Sequence, residues 1–137
     1  MTAAKAHIVE LRMPCQPEYV GVARLAILGV ASRMRFSYDE VEDIRLAVGE
    51  ACTNSVEWAR RNARQDSDIL IRSTMEGDAL TIEVEDQAGP RTEATGQSSR
   101  DPESEGLGAL LITLLVDEVR VIPREGGTCV QMVKRAG

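Results

Sequence analysis

The sequence predicts an α+β fold in which helices pack on one face of a mixed or antiparallel β-sheet. Residues 68–86 alternate apolar and polar side chains on either side of a short turn, which indicates a β-hairpin. A capping box, Ser37-Tyr38-Asp39-Glu40, precedes an amphipathic stretch and marks the start of a long helix. The elements follow one another as strand, helix, helix, two strands, polar loop, helix and two strands. That order favours one sheet and one domain over residues 1–137.

The first half of the chain predicts one strand followed by two helices. Residues 7–13 alternate apolar and polar side chains and therefore predict a strand. Helical spacing begins near Pro17 and continues to about residue 31. The second helix is expected over residues 38–60. Its inward stripe comprises Val41, Ile44, Val48, Cys52, Ser55 and Ala59.

The second half predicts the hairpin, a long loop, a helix and two further strands. The hairpin turns at Glu76-Gly77-Asp78. Residues 87–106 contain no large apolar side chain, and loops of that length in small domains are usually functional or disordered. We interpret this segment as a lid. The remaining elements are a mostly apolar helix from residue 107 to about Asp117 and strands at 119–123 and 128–134.

Composition and charge restrict the class of protein. The formal net charge is −6, which argues against nucleic acid as a partner, because nucleic-acid binders usually present a basic surface. No apolar run is long enough to span a membrane, and the N-terminus lacks a signal-peptide core. The three cysteines form no CxxC pair and are expected to be buried, reduced thiols. These features predict a cytoplasmic protein.

The second helix carries the first candidate site residues. Glu50 and Asn54 lie four positions apart, about 40° from each other around the helix, and away from the inward stripe. A carboxylate can deprotonate or orient an attacking hydroxyl, and an amide oxygen is a suitable Mg²⁺ ligand. The pair alone is weak evidence, because a solvated helix face would show the same pattern.

Three further elements could complete a nucleotide site. Asp86 ends a strand, where a carboxylate can accept a hydrogen bond from the amine of adenine, although an Asp that initiates a turn is also common there. Gly106 and Gly108 precede a helix, whose free backbone amides favour phosphate. Thr128 brings a hydroxyl to the last strand and is uninformative by itself.

In combination, these residues resemble a known family. Their order is similar to that of the ATP-binding fold of the gyrase, chaperone, histidine-kinase and mismatch-repair superfamily. The stretches "PCQPEYVGVARLAILGVASRM", "YDEVEDIRLAVGEACTNSVEWA" and "SEGLGALLITLLVDEVRV" closely resemble the anti-sigma-B factor kinases of Gram-positive bacteria. The resemblance implies a Bergerat-type ATP-binding fold with a mixed sheet and a flexible ATP lid at about residues 87–106.

The resemblance also implies a role for each candidate residue. Glu50 would be the general base for the incoming serine hydroxyl, and Asn54 would bind Mg²⁺ that bridges the ATP phosphates. Asp86 would contact adenine, with support from Thr128. The glycines Gly89, Gly106 and Gly108 would line the nucleotide. The family implies a homodimer that inhibits an alternative sigma factor and phosphorylates a serine of an anti-anti-sigma protein, with Arg24 at the partner surface.

The chain departs from the family pattern at three places. The first glycine box is Asp-x-Gly in the family but Asp86-Gln87-Ala88-Gly89 here, so a glycine is replaced or shifted by one position. The second box, "SEGLG", is one glycine short, and Trp58 stands where relatives often have His. We therefore expect ATP binding to survive but to be weakened. The alternative is a binding module that sequesters sigma or antagonist proteins without phosphoryl transfer.

Overall fold

Five strands and two helices, together with one further helical segment, make up the described part of the chain. The structure, a computed structural model, describes residues 5–89 and 110–137. Residues 110–115 are helical. The other elements are β1 (His7–Pro14), a short 3₁₀ turn (Pro17–Tyr19), α1 (Val20–Ala31), α2 (Tyr38–Arg61), β2 (Asp68–Glu76), β3 (Ala79–Asp86), β4 (Glu118–Arg124) and β5 (Gly127–Arg135).

The strands form a single sheet in the order β1-β2-β3-β5-β4, and every neighbouring pair is antiparallel. The sheet is therefore antiparallel rather than mixed, which corrects that detail of the expected fold. The reason lies in the two helices between β1 and β2. Two successive helices return the chain to the end of the sheet that it left. There the backbone amide of Cys15 donates to the carbonyl of Ser67 at 2.9 Å.

The capping box at the start of α2 is confirmed. The Ser37 hydroxyl accepts from the backbone amide of Glu40 at 3.1 Å, and the Glu40 carboxylate accepts from the amide of Ser37 at 2.7 Å. This reciprocal pair satisfies two backbone groups that would otherwise lack partners. It fixes the first turn of α2, from which the positions of all later side chains on that helix follow.

The core lies between the helices and one face of the sheet. Alternate residues of β2 and β3 are buried, as the hairpin pattern predicted. The opposite face carries a row of charges, in which Arg72 lies 2.6 Å from Glu10 and 3.3 Å from Glu83 on the neighbouring strands. The core side chains include Ile27, Ile44, Val48, Ile69, Leu80, Ile82, Val84, Ile112 and Met132.

The segment after the lid differs slightly from its prediction. The helix over residues 110–115 ends before Asp117, whose backbone amide instead donates to the carbonyl of Val133 at 2.9 Å. Asp117 therefore already pairs with β5, one residue before β4 begins at Glu118. Most of the lid lies outside the described residues. In the part of the chain that is described, no helix is both long and apolar enough to cross a membrane.

Candidate nucleotide site

Asp86 occupies the last position of β3 and is completely buried. One carboxylate oxygen, Oδ2, accepts from the hydroxyl of Ser55 on α2 at 2.6 Å. The other, Oδ1, accepts from the backbone amide of Ala88 at 3.1 Å. A buried charge is tolerated when hydrogen bonds stabilise it, and each carboxylate oxygen can accept more than one. Asp86 is thus held in one orientation with further capacity to accept a hydrogen bond.

Thr128 lies directly opposite Asp86 in the pairing of β3 with β5. Its side chain is fully buried, and its hydroxyl has no hydrogen-bond partner among the described residues. Gly127 precedes it and approaches the backbone of β3 very closely. A Cβ atom at Gly127 would lie 1.8 Å from the carbonyl oxygen of Asp86, so only glycine fits. The strand pair therefore places a carboxylate and a hydroxyl side by side.

Glu50 and Asn54 lie on α2, the helix that contributes Ser55 to the contact with Asp86. Both are half-buried. The side-chain nitrogen Nδ2 of Asn54 is buried and makes no hydrogen bond within residues 5–89 and 110–137. A native fold rarely leaves such a group unpaired without a functional reason. Two polar side chains, those of Asn54 and Thr128, thus lack partners in the described part of the chain.

The three thiols of this chain form no disulfide bond. Cys15, Cys52 and Cys129 are all free and buried, as the sequence predicted. Burial, with a smaller contribution from the neighbouring Cys15, raises the pKa of the Cys52 thiol to about 12. Burial likewise raises the pKa of Cys129 to about 11. Thiols that stay protonated are poor nucleophiles. Cys52 and Cys129 are therefore packing residues rather than catalytic ones.

The altered first glycine box has a simple structural solution. Gly89 adopts a φ of 104°, a left-handed conformation that favours glycine, whereas Ala88 has no such requirement. The backbone amide of Gly89 donates to the carbonyl of Gly126 at 3.1 Å, which ties the box to the turn between β4 and β5. The conformationally special position is thus Gly89, one residue later than in the family pattern, and Ala88 is accommodated.

Arg24 lies on α1 and reaches toward α2. A Cβ atom at Gly49 would lie 2.3 Å from Nε of Arg24, so the guanidinium group packs directly over this glycine. The side chain is half-buried. It therefore sits beside the turn of α2 that carries Glu50, rather than extending freely from the surface of α1.

The structure brings Asp86, Gly89 and Thr128 together at the end of β3. Glu50 and Asn54 lie on α2, the helix that Ser55 connects to Asp86. Gly106 and Gly108 lie outside the described residues. Three side chains that contact this region were not predicted as site residues: Ser55, Trp58 and Asn62. Ser55 lies in the predicted inward stripe of α2. A polar residue on that apolar stripe is the sequence signal that could have identified it as a site residue.

The site fits a nucleotide better than a metal cluster. In the described ranges, no group of three or more His, Cys, Asp or Glu side chains could hold a metal ion. Mg²⁺ commonly keeps few protein ligands and completes its shell with phosphate oxygens and water. Asn54 can serve as such a single ligand. The side-chain nitrogen of Asn54 and the hydroxyl of Thr128, which have no partner among the described residues, offer further polar contacts to a bound nucleotide.

Comparison with known proteins assigns the chain to a family. Residues 13–134 match the histidine kinase-like ATPase domain family. A protein of Bacillus subtilis (strain 168) named serine-protein kinase RsbW is 40% identical over 142 residues, covering 94% of this chain and 86% of that protein. A protein of the same name from Listeria monocytogenes serovar 1/2a is 35% identical over 130 residues, covering 86% of this chain and 81% of that protein.

Two solved structures share the fold. The RsbU and RsbW domains of Rv1364c from Mycobacterium tuberculosis match with a TM-score of 0.66 at 19% identity, over 93% of this chain and 32% of that chain. The histidine kinase domain of a blue-light activated kinase from Erythrobacter litoralis matches with a TM-score of 0.58 at 24% identity, over 90% of this chain and 61% of that one. These structures confirm the α+β fold. The chain belongs to the histidine kinase-like ATPase domain family and, within it, to the serine-protein kinases RsbW.

Proposed function

We propose that this protein is an ATP-dependent serine-protein kinase that also binds and inhibits an alternative sigma factor. The observation that carries the proposal is the buried carboxylate of Asp86, fixed by Ser55 and Ala88. Beside it lies the hydroxyl of Thr128, which has no hydrogen-bond partner in residues 5–89 and 110–137. This arrangement suits recognition of adenine, whose exocyclic amine needs an acceptor. The names of the similar proteins favour the same reading.

Each residue of the site has a distinct task in this proposal. Asp86 accepts a hydrogen bond from the adenine amine, and the Thr128 hydroxyl supports that contact. The amide oxygen of Asn54 binds Mg²⁺, which neutralises phosphate charge. Glu50 orients the serine hydroxyl of the substrate and accepts its proton. Bound Mg·ATP supplies the phosphoryl group, and the protein contributes positioning and charge stabilisation, as is usual for phosphoryl transfer.

The proposed protein partners are an alternative sigma factor and an anti-anti-sigma protein whose serine is phosphorylated. We also propose a homodimer and a cytoplasmic location, in line with the family resemblance. Arg24 is proposed to pair with an acidic residue of a partner. Its guanidinium packs over Gly49, so a partner that recruits it would contact α1 close to the helix that carries Glu50.

Calorimetric titration of Mg·ATP, combined with a phosphoryl-transfer assay on a candidate antagonist, tests the proposal. We expect Asp86→Asn to abolish binding of both ADP and ATP, because the acceptor of the adenine amine becomes an amide. Glu50→Gln should still bind nucleotide but should lose transfer by at least a hundredfold, as expected for a removed general base. Asn54→Ala should weaken the binding of Mg·ATP far more than the binding of metal-free ADP.

The outcomes also separate the kinase from the binding module considered above. Nucleotide binding with no transfer to any antagonist serine, together with a stable complex, would support the module. No binding of either nucleotide would overturn the proposed site. Gly89 supplies the left-handed conformation next to Ala88, which supports nucleotide binding despite the altered glycine box.

A further inference from the structure

The turn that follows Asp86 is held by an unusual set of side-chain hydrogen bonds. Three consecutive backbone carbonyls each accept a bond from a side chain at or just beyond the C-terminal end of α2. The bonds are Arg64 Nη1 to Gln87 at 3.3 Å, Asn62 Nδ2 to Ala88 at 2.9 Å and Trp58 Nε1 to Gly89 at 3.1 Å. Side chains at or just beyond the end of α2 therefore hold each of these three residues by one hydrogen bond.

The two bonds nearest the site also enclose Gly89. A Cβ atom on this glycine would lie 3.1 Å from Nδ2 of Asn62 and 3.6 Å from Nε1 of Trp58. Gly89 is buried and has a positive φ, so its conformation favours glycine and its surroundings leave little room for a side chain. The Trp58 indole is half-buried and packs against the core cluster, which gives it a fixed position from which to donate.

This turn orients the carboxylate proposed to recognise adenine. The amide of Ala88 donates to Asp86 Oδ1, so the position of the Ala88 peptide sets the position of the carboxylate. The bonds from Asn62 and Trp58 fix the carbonyls of the next two peptides, those of Ala88 and Gly89. We infer that Trp58 and Asn62 are positioning residues of the nucleotide site, which hold the Asp86–Gly89 turn in the conformation that binds adenine. This inference rests on the proposed function.

The requirement is for an N–H donor at position 58 rather than for an indole. A histidine can also donate through a ring nitrogen. Phenylalanine preserves an aromatic ring but has no donor. The pair Trp58→Phe and Trp58→His therefore separates the hydrogen bond from the packing. Asn62→Ala removes the neighbouring bond without changing the aromatic side chain.

The decisive measurement is the affinity of full-length protein for ADP and for Mg·ATP, by calorimetry, in the three variants. The affected contact is at the adenine end, so we expect Trp58→Phe and Asn62→Ala to weaken both nucleotides by the same factor, roughly three- to tenfold for one hydrogen bond. Trp58→His should bind both nucleotides with an affinity within about twofold of wild type. In the transfer assay, KM for ATP should rise by that factor while kcat and the affinity for the antagonist stay unchanged.

Arg60→Ala is the matched control, because Arg60 lies in the same turn of α2 but pairs with Glu57 rather than with the turn after Asp86. It should leave nucleotide affinity unchanged. If wild-type protein binds nucleotide and Trp58→Phe binds it equally well, the inference fails while the proposed function stands. A Trp58→Phe variant with reduced kcat or reduced antagonist binding would indicate general destabilisation and would also overturn it. If wild-type protein binds no nucleotide, both fail.

Discussion

At the scale of single residues, Thr128 is the clearest sign that this fold is arranged for a ligand. Its hydroxyl is fully buried without a hydrogen-bond partner among the described residues, which costs a protein about 1–3 kcal/mol. Neighbouring Asp86 is buried as well, yet both of its carboxylate oxygens are paired. A polar group left unpaired beside a well-paired one is expected where a bound molecule completes the set.

Replacing Thr128 with valine tests this trade between stability and binding. Valine has nearly the same shape but no hydroxyl, so Thr128→Val should raise the free energy of unfolding by about 1 kcal/mol. It should also weaken ADP binding by roughly tenfold, because the contact to the nucleotide is lost. Urea denaturation and calorimetry measure the two effects. Thr81→Val, at a half-buried position of β3, is the matched control and should leave ADP affinity unchanged.

The proposal requires that Thr128→Val raise the free energy of unfolding and lower the affinity for ADP. A variant that is less stable than wild type would show that the hydroxyl has a structural partner. Unchanged ADP affinity, with or without a gain in stability, would remove Thr128 from the nucleotide site.

At the scale of elements, the site depends on how closely β5 approaches β3. Gly127 begins β5 and lies against the backbone of Asp86, where a Cβ atom would come within 1.8 Å of the carbonyl oxygen. The contacting atom belongs to the backbone and cannot rotate away. The start of β5 and the end of β3 therefore fit together only through this glycine, and that fit sets the separation of Asp86 from Thr128.

We expect Gly127→Ala to lower the free energy of unfolding by about 1–3 kcal/mol, the usual cost of overpacking. It should also greatly weaken nucleotide binding, because the backbone of Asp86 must move. Gly29→Ala is the matched control, since Gly29 lies inside α1 and no other described residue comes within 4 Å of the added methyl group. That variant should gain up to about 1 kcal/mol from helix propensity and should bind nucleotide normally. A Gly127→Ala protein of wild-type stability would contradict the close approach.

The elements themselves were predictable from local sequence, but their meeting points were not. The capping box at Ser37 and the alternation of residues 68–86 determine α2 and the hairpin through contacts between near neighbours. Trp58 and Gly89, by contrast, meet across 31 positions of the chain. Periodicity shows which way a side chain points on its own helix, and it says nothing about which strand end lies opposite.

The same limit applies within the candidate site. The placement of Glu50 and Asn54 on one side of α2 follows from their spacing. Ser55 was correctly placed on the buried side, yet its partner Asp86 could not be identified, because the sheet order decides which strand lies beneath α2. The sequence also does not show which residue of the Asp86–Gly89 turn takes the left-handed conformation. The φ of Gly89 shows that it is this glycine and not Ala88.

At the scale of the whole molecule, the buried thiols should make the free energy of unfolding fall as the pH rises into the alkaline range. Burial raises the pKa of Cys52 from 9.0 to about 12 in the folded protein. In the unfolded chain this thiol loses its proton near pH 9, while the folded protein still retains it. Between these two values the unfolded state binds fewer protons, so the stability that is fully present below pH 9 is lost as the pH rises.

Each such thiol should reduce the free energy of unfolding by about 1.4 kcal/mol per pH unit above pH 9, until the folded pKa is reached. We therefore expect wild-type protein to lose about 2 kcal/mol more than Cys52→Ala between pH 8 and about pH 10.5. Urea denaturation under reducing conditions at the two pH values measures this difference. The cavity that alanine creates costs the same at both values and cancels. Equal losses in the two proteins would mean that the Cys52 thiol is not held protonated by the core, and that water reaches the interior between α2 and the sheet.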